Sequence, residues 1–393
     1  MDLTELKQQF QGYFNEAASY VAFAPGRVNL IGEYTDFNGG YVFPCALGNG
    51  TYALASKRTD RTVRVVSVNF ESVGIIEFAL DDLAFDKQRH WANYPAGVFA
   101  MLMADGVRFA HGLNILFAGD IPNGAGLSSS ASIELVTAVL LREVYGFERT
   151  QLQLVQLSQR SENQFNGMNC GIMDQFASGM GRADHALLLN TATLDYQTVP
   201  VQLGEQYTLL IANTNKRREL ADSKYNERRA ECEAALADLQ TVVPIKALCE
   251  LTVAQFAQHE HVIQNDLARQ RARHVVGDNQ RTLQAVSALT SGDIATFGQL
   301  LNASHRSLRD DFAVTGEHLD ALVQAAWDHG AVGARMTGAG FGGCSVMIVC
   351  TDELEAFKQN VAQQYKSATG MAPTFYDVRI GNGARMLESA QSS

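Results

Sequence analysis

Asp120-Ile-Pro-Asn-Gly-Ala-Gly-Leu-Ser-Ser-Ser-Ala-Ser132 sets two glycines and three consecutive hydroxyls immediately before an apolar run of helical spacing. From Ala131 onward, Ile133, Val136, Leu140 and Val144 recur on one helical face, and Gly146 stands where a left-handed cap would close the helix. Gly124 and Gly126 permit close backbone approach, while Ser128, Ser129 and Ser130 offer hydroxyls beside the free amides of the first turn. One serine there describes an ordinary capped helix. Three of them behind two glycines describe a helix start suited to phosphate.

The donors for such a phosphate have to be local, because the chain as a whole is acidic. Its 31 Lys plus Arg against 42 Asp plus Glu leave a net charge of −11, which argues against a nucleic-acid or anionic-membrane partner. Hydrophobic residues make up 46% and charged residues 19%, a globular composition with material for a large core. At 393 residues the chain exceeds the roughly 250–300 at which a single core stops growing, so two domains with a ligand cleft between them are expected. Six cysteines are scattered without a CxxC pair, which suggests neither a zinc site nor a disulfide framework and fits reduced thiols. Met-Asp-Leu-Thr-Glu-Leu-Lys7 is not a basic segment followed by an apolar one, and no apolar run reaches membrane-spanning length. The expectation is a soluble cytoplasmic protein with small-molecule substrates and no obligate protein partner.

From about residue 20 to 80, β-rich runs such as Thr62-Val-Arg-Val-Val-Ser-Val68 alternate with turns such as Asn38-Gly-Gly40. Helical spacing then predicts helices over Trp91 to Met103, Ile133 to Tyr145 and Leu152 to Phe165, with strands at Leu113 to Phe117 and Ala186 to Leu189. The pattern loosens near Pro200, and the strand Tyr207 to Asn213 opens a second domain; the division is placed at 1–200 and 201–393. Helices over about 222–240, 266–290 and 316–329 precede a glycine cluster and the strand Cys344 to Cys350. Strands mixed with helix pairs indicate an α+β fold.

No Gly-Lys-Ser/Thr ends a glycine loop, and neither HRD nor DFG occurs, so P-loop NTPases and protein kinases drop out. Gly338-Ala-Gly-Phe-Gly-Gly343 spells GxGxxG but leads into a strand rather than a helix, which argues against a dinucleotide site. It is either a tight turn or a backbone that must pass close to a ligand. Ala24-Pro-Gly-Arg-Val-Asn-Leu-Ile-Gly-Glu-Tyr-Thr-Asp36 places Arg27, Glu33 and Asp36 in apolar company. They form either a structural ion pair or carboxylates that accept from hydroxyls while Arg27 holds developing negative charge. Ser161-Glu-Asn-Gln-Phe-Asn-Gly-Met-Asn-Cys-Gly-Ile-Met-Asp174 puts Glu162 at a helix end and Asp174 beyond a Gly/Asn turn. Such a pair divides between ligating Mg2+ and orienting or deprotonating a hydroxyl; each alone also reads as a solvated acid.

Together these segments resemble the GHMP small-molecule kinases and, within them, the galactokinase family. Gly26-Arg-Val-Asn-Leu-Ile-Gly-Glu33 through Asp36 resembles the galactokinase signature, Pro122 to Ser132 the GHMP phosphate loop, and Gly338 to Cys344 the third GHMP motif. Trp91-Ala-Asn-Tyr94, Asn169 to Gln175, Asn213 to Arg217, Ser223 to Arg229 and Ser307 to Phe312 are similar to the family as well. The resemblance implies a two-domain GHMP kinase fold: a mixed-sheet N-terminal domain, a ferredoxin-like C-terminal domain, and an active site in the cleft between them. The implied reaction is phosphorylation of the anomeric hydroxyl of α-D-galactose by ATP with Mg2+. The implied catalytic residues are Arg27 and Asp174, with Asp174 either a true base or a group that fixes the hydroxyl. Glu33, Tyr34, Asp36, Gly171, Asp174 and Tyr225 are implied sugar contacts. Gly124, Ala125, Gly126, Leu127, Ser128, Ser129 and Ser130 are implied around the nucleotide phosphates, Trp91 and Tyr94 toward the adenine, and Ser130 and Glu162 as Mg2+ ligands.

Tyr34 stands where the family usually carries His, Phe37 where it carries Tyr, and Ala339 where Gly is common. Tyr34 keeps one hydroxyl, adds bulk and carries no charge near pH 7, so a sugar contact is lost, rerouted or made more tolerant. Two rival readings follow: a kinase for another sugar, such as an N-acetylated or deoxygenated galactose, and a sugar sensor without turnover. Ser130, Glu162, Arg27 and Asp174 are all retained, which speaks against the sensor.

Overall fold

The first strand, Tyr20–Asn29, is buried along its whole length, so both of its faces must be covered. Its side chains alternate between two cores, as the period of a strand requires. Ala22 and Ala24, with Ala53 and Ala55 of the neighbouring strand, face the helix Ser129–Tyr145 through Leu135 and Val139. Small side chains on that face let the helix lie close. Val21, Leu54, Leu116 and Ala118 face the other way, onto Leu6 and Phe10 of the amino-terminal helix Leu3–Phe14. Truncating one of these buried residues, Leu54→Ala for example, costs about 2–5 kcal/mol.

The computed structural model describes residues 1–122, 125–216 and 221–390. Six strands form the first sheet, in the order Arg385–Glu388, Tyr20–Asn29, Pro44–Lys57, Leu113–Gly119, Thr62–Ser67 and Ile76–Ala79. Its pairs are antiparallel except Thr62–Ser67 with Leu113–Gly119, which makes the sheet mixed. A second sheet orders Gly333–Met336, Cys344–Cys350, Tyr207–Asn213 and Thr374–Asp377, all antiparallel. Helices Gly316–Asp328 and Leu354–Thr369 cover it through Leu322, Ala326, Phe357 and Val361. This is the sheet-and-helix-pair arrangement expected for the carboxy-terminal half. The strand Arg385–Glu388 returns from there to pair with Tyr20–Asn29 in the first sheet.

The strands at Tyr207–Asn213 and Cys344–Cys350 and the helix Asp266–Thr290 have the bounds that the sequence pattern gives. Two expected helices differ. Trp91 lies in a short 3-10 segment, Lys87–Ala92, and the α-helix starts at Asn93, because His90 has φ of 46° and breaks the helical path. The helix expected over Leu152 to Phe165 is α-helical only over Gln151–Arg160 and closes in a π-turn, Ser161–Phe165. That wider turn swings Glu162 off the face its spacing implies.

Candidate active site

The phosphate-loop helix begins with an unusual residue. Ser128 has φ of 62° and makes no side-chain cap to its own helix, although it occupies the N-cap. Its hydroxyl donates to Asp174 instead. The amides of the first turn are thereby left to a cavity of about 850 Å³ that Ser128, Ser129 and Ser130 line. Gly26 brings the first strand beside this loop: a Cβ there would meet the Leu127 carbonyl oxygen at 2.5 Å, and the Arg27 amide donates to that same oxygen at 3.1 Å.

Arg27 grips Asp174 from the strand side. Its Nε donates to Oδ1 and its Nη2 to Oδ2, both at 2.8 Å, and Nη1 donates to the Gly126 carbonyl at 2.8 Å. Both oxygens of Asp174 thus accept from a planar fork, with Oδ2 also accepting from Ser128. Asp174 itself stands in the first turn of Met173–Met180.

The other wall is carboxylate. Glu33 is buried, accepts from the Gly338 amide at 2.8 Å and faces Arg335 at 3.3 Å. Burial pushes its carboxyl up, against the pull of Arg335 and then Arg27. Helix Asp266–Thr290 braces its backbone: the Glu33 amide donates to Asp278 at 3.1 Å, and its carbonyl lies 3.1 Å from His274 Nε2. Asp36 is raised to about 6, chiefly by burial, then by the charges of Asp174 and Glu33. Gly171 is obligatory beside it, since any Cβ would fall on the Asp36 carboxylate. Tyr225 closes this end, its hydroxyl pushed up by burial.

Tyr34, with φ of 64°, donates its hydroxyl to the Ala339 carbonyl at 2.6 Å. Its ring packs against Phe312 at 4.5 Å, Tyr225 at 5.3 Å and Phe37 at 6.2 Å. The hydroxyl that replaces an imidazole is therefore tied to the Gly338–Gly343 loop while the ring lines the cavity. That loop leads into a strand, as a tight turn would, and its backbone also meets Glu33 and Tyr34 beside the cavity.

Glu162, on the π-turn, accepts from Gln175, and the Ser130 hydroxyl lies beside it. Burial first, then Asp174, raises it to about 7. Among the described residues no three His, Cys, Asp or Glu side chains cluster to hold a metal.

Arg27, Glu33, Tyr34, Asp36, Tyr94, Gly126, Ser128, Ser129, Ser130, Glu162, Gly171, Asp174 and Tyr225 all line the one cavity. Trp91 stands in an adjoining cavity of about 180 Å³ that shares Tyr94, Ser129 and Ser130. It packs parallel to Phe70 there, with no partner for its buried indole N–H. Ala125 and Leu127 bury their side chains in the core with Val28 and Ile121, so only their backbone is available to a ligand. Gly124, and Arg217 in the Asn213 to Arg217 stretch, lie outside the described residues. Arg335, which pairs with Glu33, has no sequence signal beyond its closeness to Gly338; Lys87, on the cavity rim, has none.

Residues 8–57 match the galactokinase galactose-binding signature, residues 93–182 the GHMP kinase N-terminal domain, and residues 285–367 the GHMP kinase C-terminal domain. A two-domain fold with a phosphate-loop helix facing this cleft defines a GHMP kinase, a small-molecule kinase acting on an alcohol acceptor, and the chain is one. A galactokinase of Streptococcus suis is 52% identical over 98% of this chain and 99% of its own length. One of Fusobacterium nucleatum is 54% identical over 92% and 93%. The crystal structure of Lactococcus lactis galactokinase complexed with galactose superposes with a TM-score of 0.95 at 44% identity, covering 98% of this chain and 99% of that one. Within the GHMP kinases, the chain belongs to the galactokinases.

Proposed function

We propose that the protein transfers the γ-phosphoryl group of ATP to the anomeric hydroxyl of α-D-galactose, giving α-D-galactose 1-phosphate and ADP. The observation that carries this reading is the fork between Arg27 and Asp174, which stands between an open helix N-terminus and a buried carboxylate wall within one cavity. Glu33 and Asp36, with Tyr225, Tyr34 and the backbone at Gly171, form the sugar side; carboxylates are acceptors for sugar hydroxyls. The amides and hydroxyls from Gly126 to Ser130 form the phosphate side, and the adenine is assigned to the adjoining cavity that Trp91 and Tyr94 line.

Ser130 and Glu162 suit a hard cation, being oxygen donors that line the cavity together on the phosphate side. Mg2+ normally takes few protein ligands, which agrees with the small donor set. When bound there, the ion neutralises phosphate charge. Phosphoryl transfer passes through a loose transition state, so catalysis rests on alignment and charge. Asp174 accepts from the C1 hydroxyl and fixes it in line, and takes its proton as the new bond forms. Arg27 holds Asp174 in place and offsets negative charge building on the transferred group.

We place the division between the two domains near residue 200 and the protein in the cytoplasm; no helix of the described residues is long and apolar enough to cross a membrane. ADP release with galactose, 2-deoxygalactose, galactosamine, N-acetylgalactosamine and glucose tests the reading. Highest kcat/KM with galactose is expected. Preference for a modified sugar would transfer the assignment to another sugar 1-kinase, and absence of turnover with all five would leave a sensor.

A further inference from the structure

Helix Asp266–Thr290 turns a polar face into the protein. Arg271, His274, Asp278 and Thr282 recur at helical spacing, and all four are buried. A buried helix face is ordinarily apolar, because a polar group taken out of water is costly unless it is hydrogen-bonded. His274 and Asp278 find their partners in the backbone of Glu33. Asp278 accepts from the Glu33 amide at 3.1 Å, and His274 Nε2 lies 3.1 Å from the Glu33 carbonyl oxygen. Thr282 lies under Gly32, where a Cβ would come within 2.9 Å of its Oγ1. A carbonyl oxygen only accepts, so the ring nitrogen facing it carries a hydrogen, and His274 donates to Glu33 in either protonation state. The other ring nitrogen, Nδ1, lies 3.0 Å from Ser307 Oγ, which steadies the ring from its far side.

The bond from His274 holds a strained peptide. The Glu33 carbonyl belongs to the plane that joins Glu33 to Tyr34, and the orientation of that plane sets φ of Tyr34. Tyr34 stands at 64°, in the left-handed region that a residue with a Cβ avoids. A residue stays there only when its surroundings over-determine it. On the far side of Tyr34, Asn38 Nδ2 donates to the Tyr34 carbonyl at 2.8 Å. On the near side the bond from His274 holds the plane. Turning that plane over relieves Tyr34 but breaks the bond, and Glu33 and Tyr34 then lose their places on the sugar wall.

We propose that His274 is a positioning residue for the sugar side: by donating to the Glu33 carbonyl it locks the Glu33–Tyr34 peptide in its strained orientation and so fixes the Glu33 carboxylate and the Tyr34 ring for galactose. The proposal rests on the reading of Glu33 as a sugar contact. His274 itself touches neither sugar nor nucleotide, so its removal acts on galactose affinity and leaves the phosphate side alone.

The test compares His274→Leu, which keeps bulk against the Phe312 ring without a donor, His274→Gln, whose amide nitrogen takes the place of Nε2, and Glu33→Gln. Binding of galactose and of MgADP is measured by calorimetry, with a thermal melt for each variant. His274→Leu is expected to weaken galactose about tenfold, the scale of a buried carbonyl left without its donor, with MgADP within about twofold. His274→Gln is expected to recover galactose binding to within about threefold of the parent. Parental galactose affinity in His274→Leu, alongside a loss in Glu33→Gln, would overturn the proposal while sparing the sugar reading of Glu33. Parental affinity in Glu33→Gln would overturn both. Equal losses for galactose and MgADP, or a His274→Gln variant as weak as His274→Leu, would make His274 a packing residue only. Should His274→Leu fail to fold, His274→Asn decides by the same criterion, since its amide stays near Ser307 but is too short to reach the Glu33 carbonyl.

Discussion

Replacing Asp174 with Asn keeps the outline of the side chain and removes its charge. Arg27 presents two N–H groups to two acceptors at 2.8 Å, and an amide offers one acceptor and one donor, so one of those bonds becomes a donor facing a donor. A hydrogen bond to a charged group is worth about 1.5–3 kcal/mol. Loss of the partner of a wholly buried charge costs about 3–5 kcal/mol. Arg27 is only 4% exposed, but Asp174 is 29% exposed to the cavity, where water shares the load. The stability cost is therefore about 1–3 kcal/mol. On the reaction, the C1 hydroxyl loses its anionic acceptor and its in-line support. That is about a hundredfold in kcat, or ~2.7 kcal/mol of barrier. The assay is kcat at saturating ATP and galactose on protein shown by its melt to be folded at the assay temperature. A folded Asp174→Asn variant within about threefold of parental kcat would refute the reasoning, because Asp174 would then be a structural partner of Arg27 alone.

Glu162→Ala should raise the Mg2+ concentration needed for half-maximal rate, and added Mg2+ should partly rescue it; a metal titration identical to the parent's would return Glu162 to a structural role. Because burial lifts Glu162 from 4.5 to about 7, the folded protein keeps a proton there that the unfolded chain gives up. This contribution to stability is complete below about pH 4.5 and is lost as pH rises through 7. Metal binding needs the charged form, so calorimetry at pH 6 should show proton release and weaker MgADP binding than at pH 8; equal affinities would contradict this. Gly171→Ala pushes a Cβ into the Asp36 carboxylate and should raise KM for galactose about tenfold or more with KM for ATP unchanged, whereas a shift in both would separate Asp36 from the sugar. Tyr34→His gives up the bond to Ala339 and the ring contacts with Phe312 and Tyr225, about 0.5–1.5 kcal/mol for each aromatic pair. It should also change the kcat/KM ratio of galactose to 2-deoxygalactose and galactosamine; ratios unchanged while only KM for ATP moves would remove position 34 from the sugar side.

Elements bounded by strong local signals were legible in the sequence. Gly146 closes its helix in the left-handed conformation, with φ of 66°, and the run Cys344–Cys350 between a glycine cluster and a turn is the strand its composition describes. The π-turns Ser161–Phe165 and Leu308–Phe312 were not legible, since one extra residue per turn leaves no mark on an apolar pattern. Glu162 and Phe312 sit on those turns, so their directions are set by tertiary packing. The return of Arg385–Glu388 to the first strand is a pairing across most of the chain, which no local window contains. Most site residues carried by a resemblance to known motifs line one cavity, while the groups that brace them from outside those motifs, Arg335, His274 and Asp278, carry no motif of their own. Ser128 shows the limit from the other side. Its place predicts a helix cap, and its hydroxyl is instead given to Asp174.

The central claim is that this cleft phosphorylates the anomeric hydroxyl of galactose. Phosphorus and proton NMR of the purified protein incubated with ATP, Mg2+ and galactose reports it directly. The account predicts equimolar ADP and α-D-galactose 1-phosphate, recognised by coupling of phosphorus to the anomeric proton. Phosphate on C6 or another hydroxyl, or ATP left intact beside galactose, would contradict it.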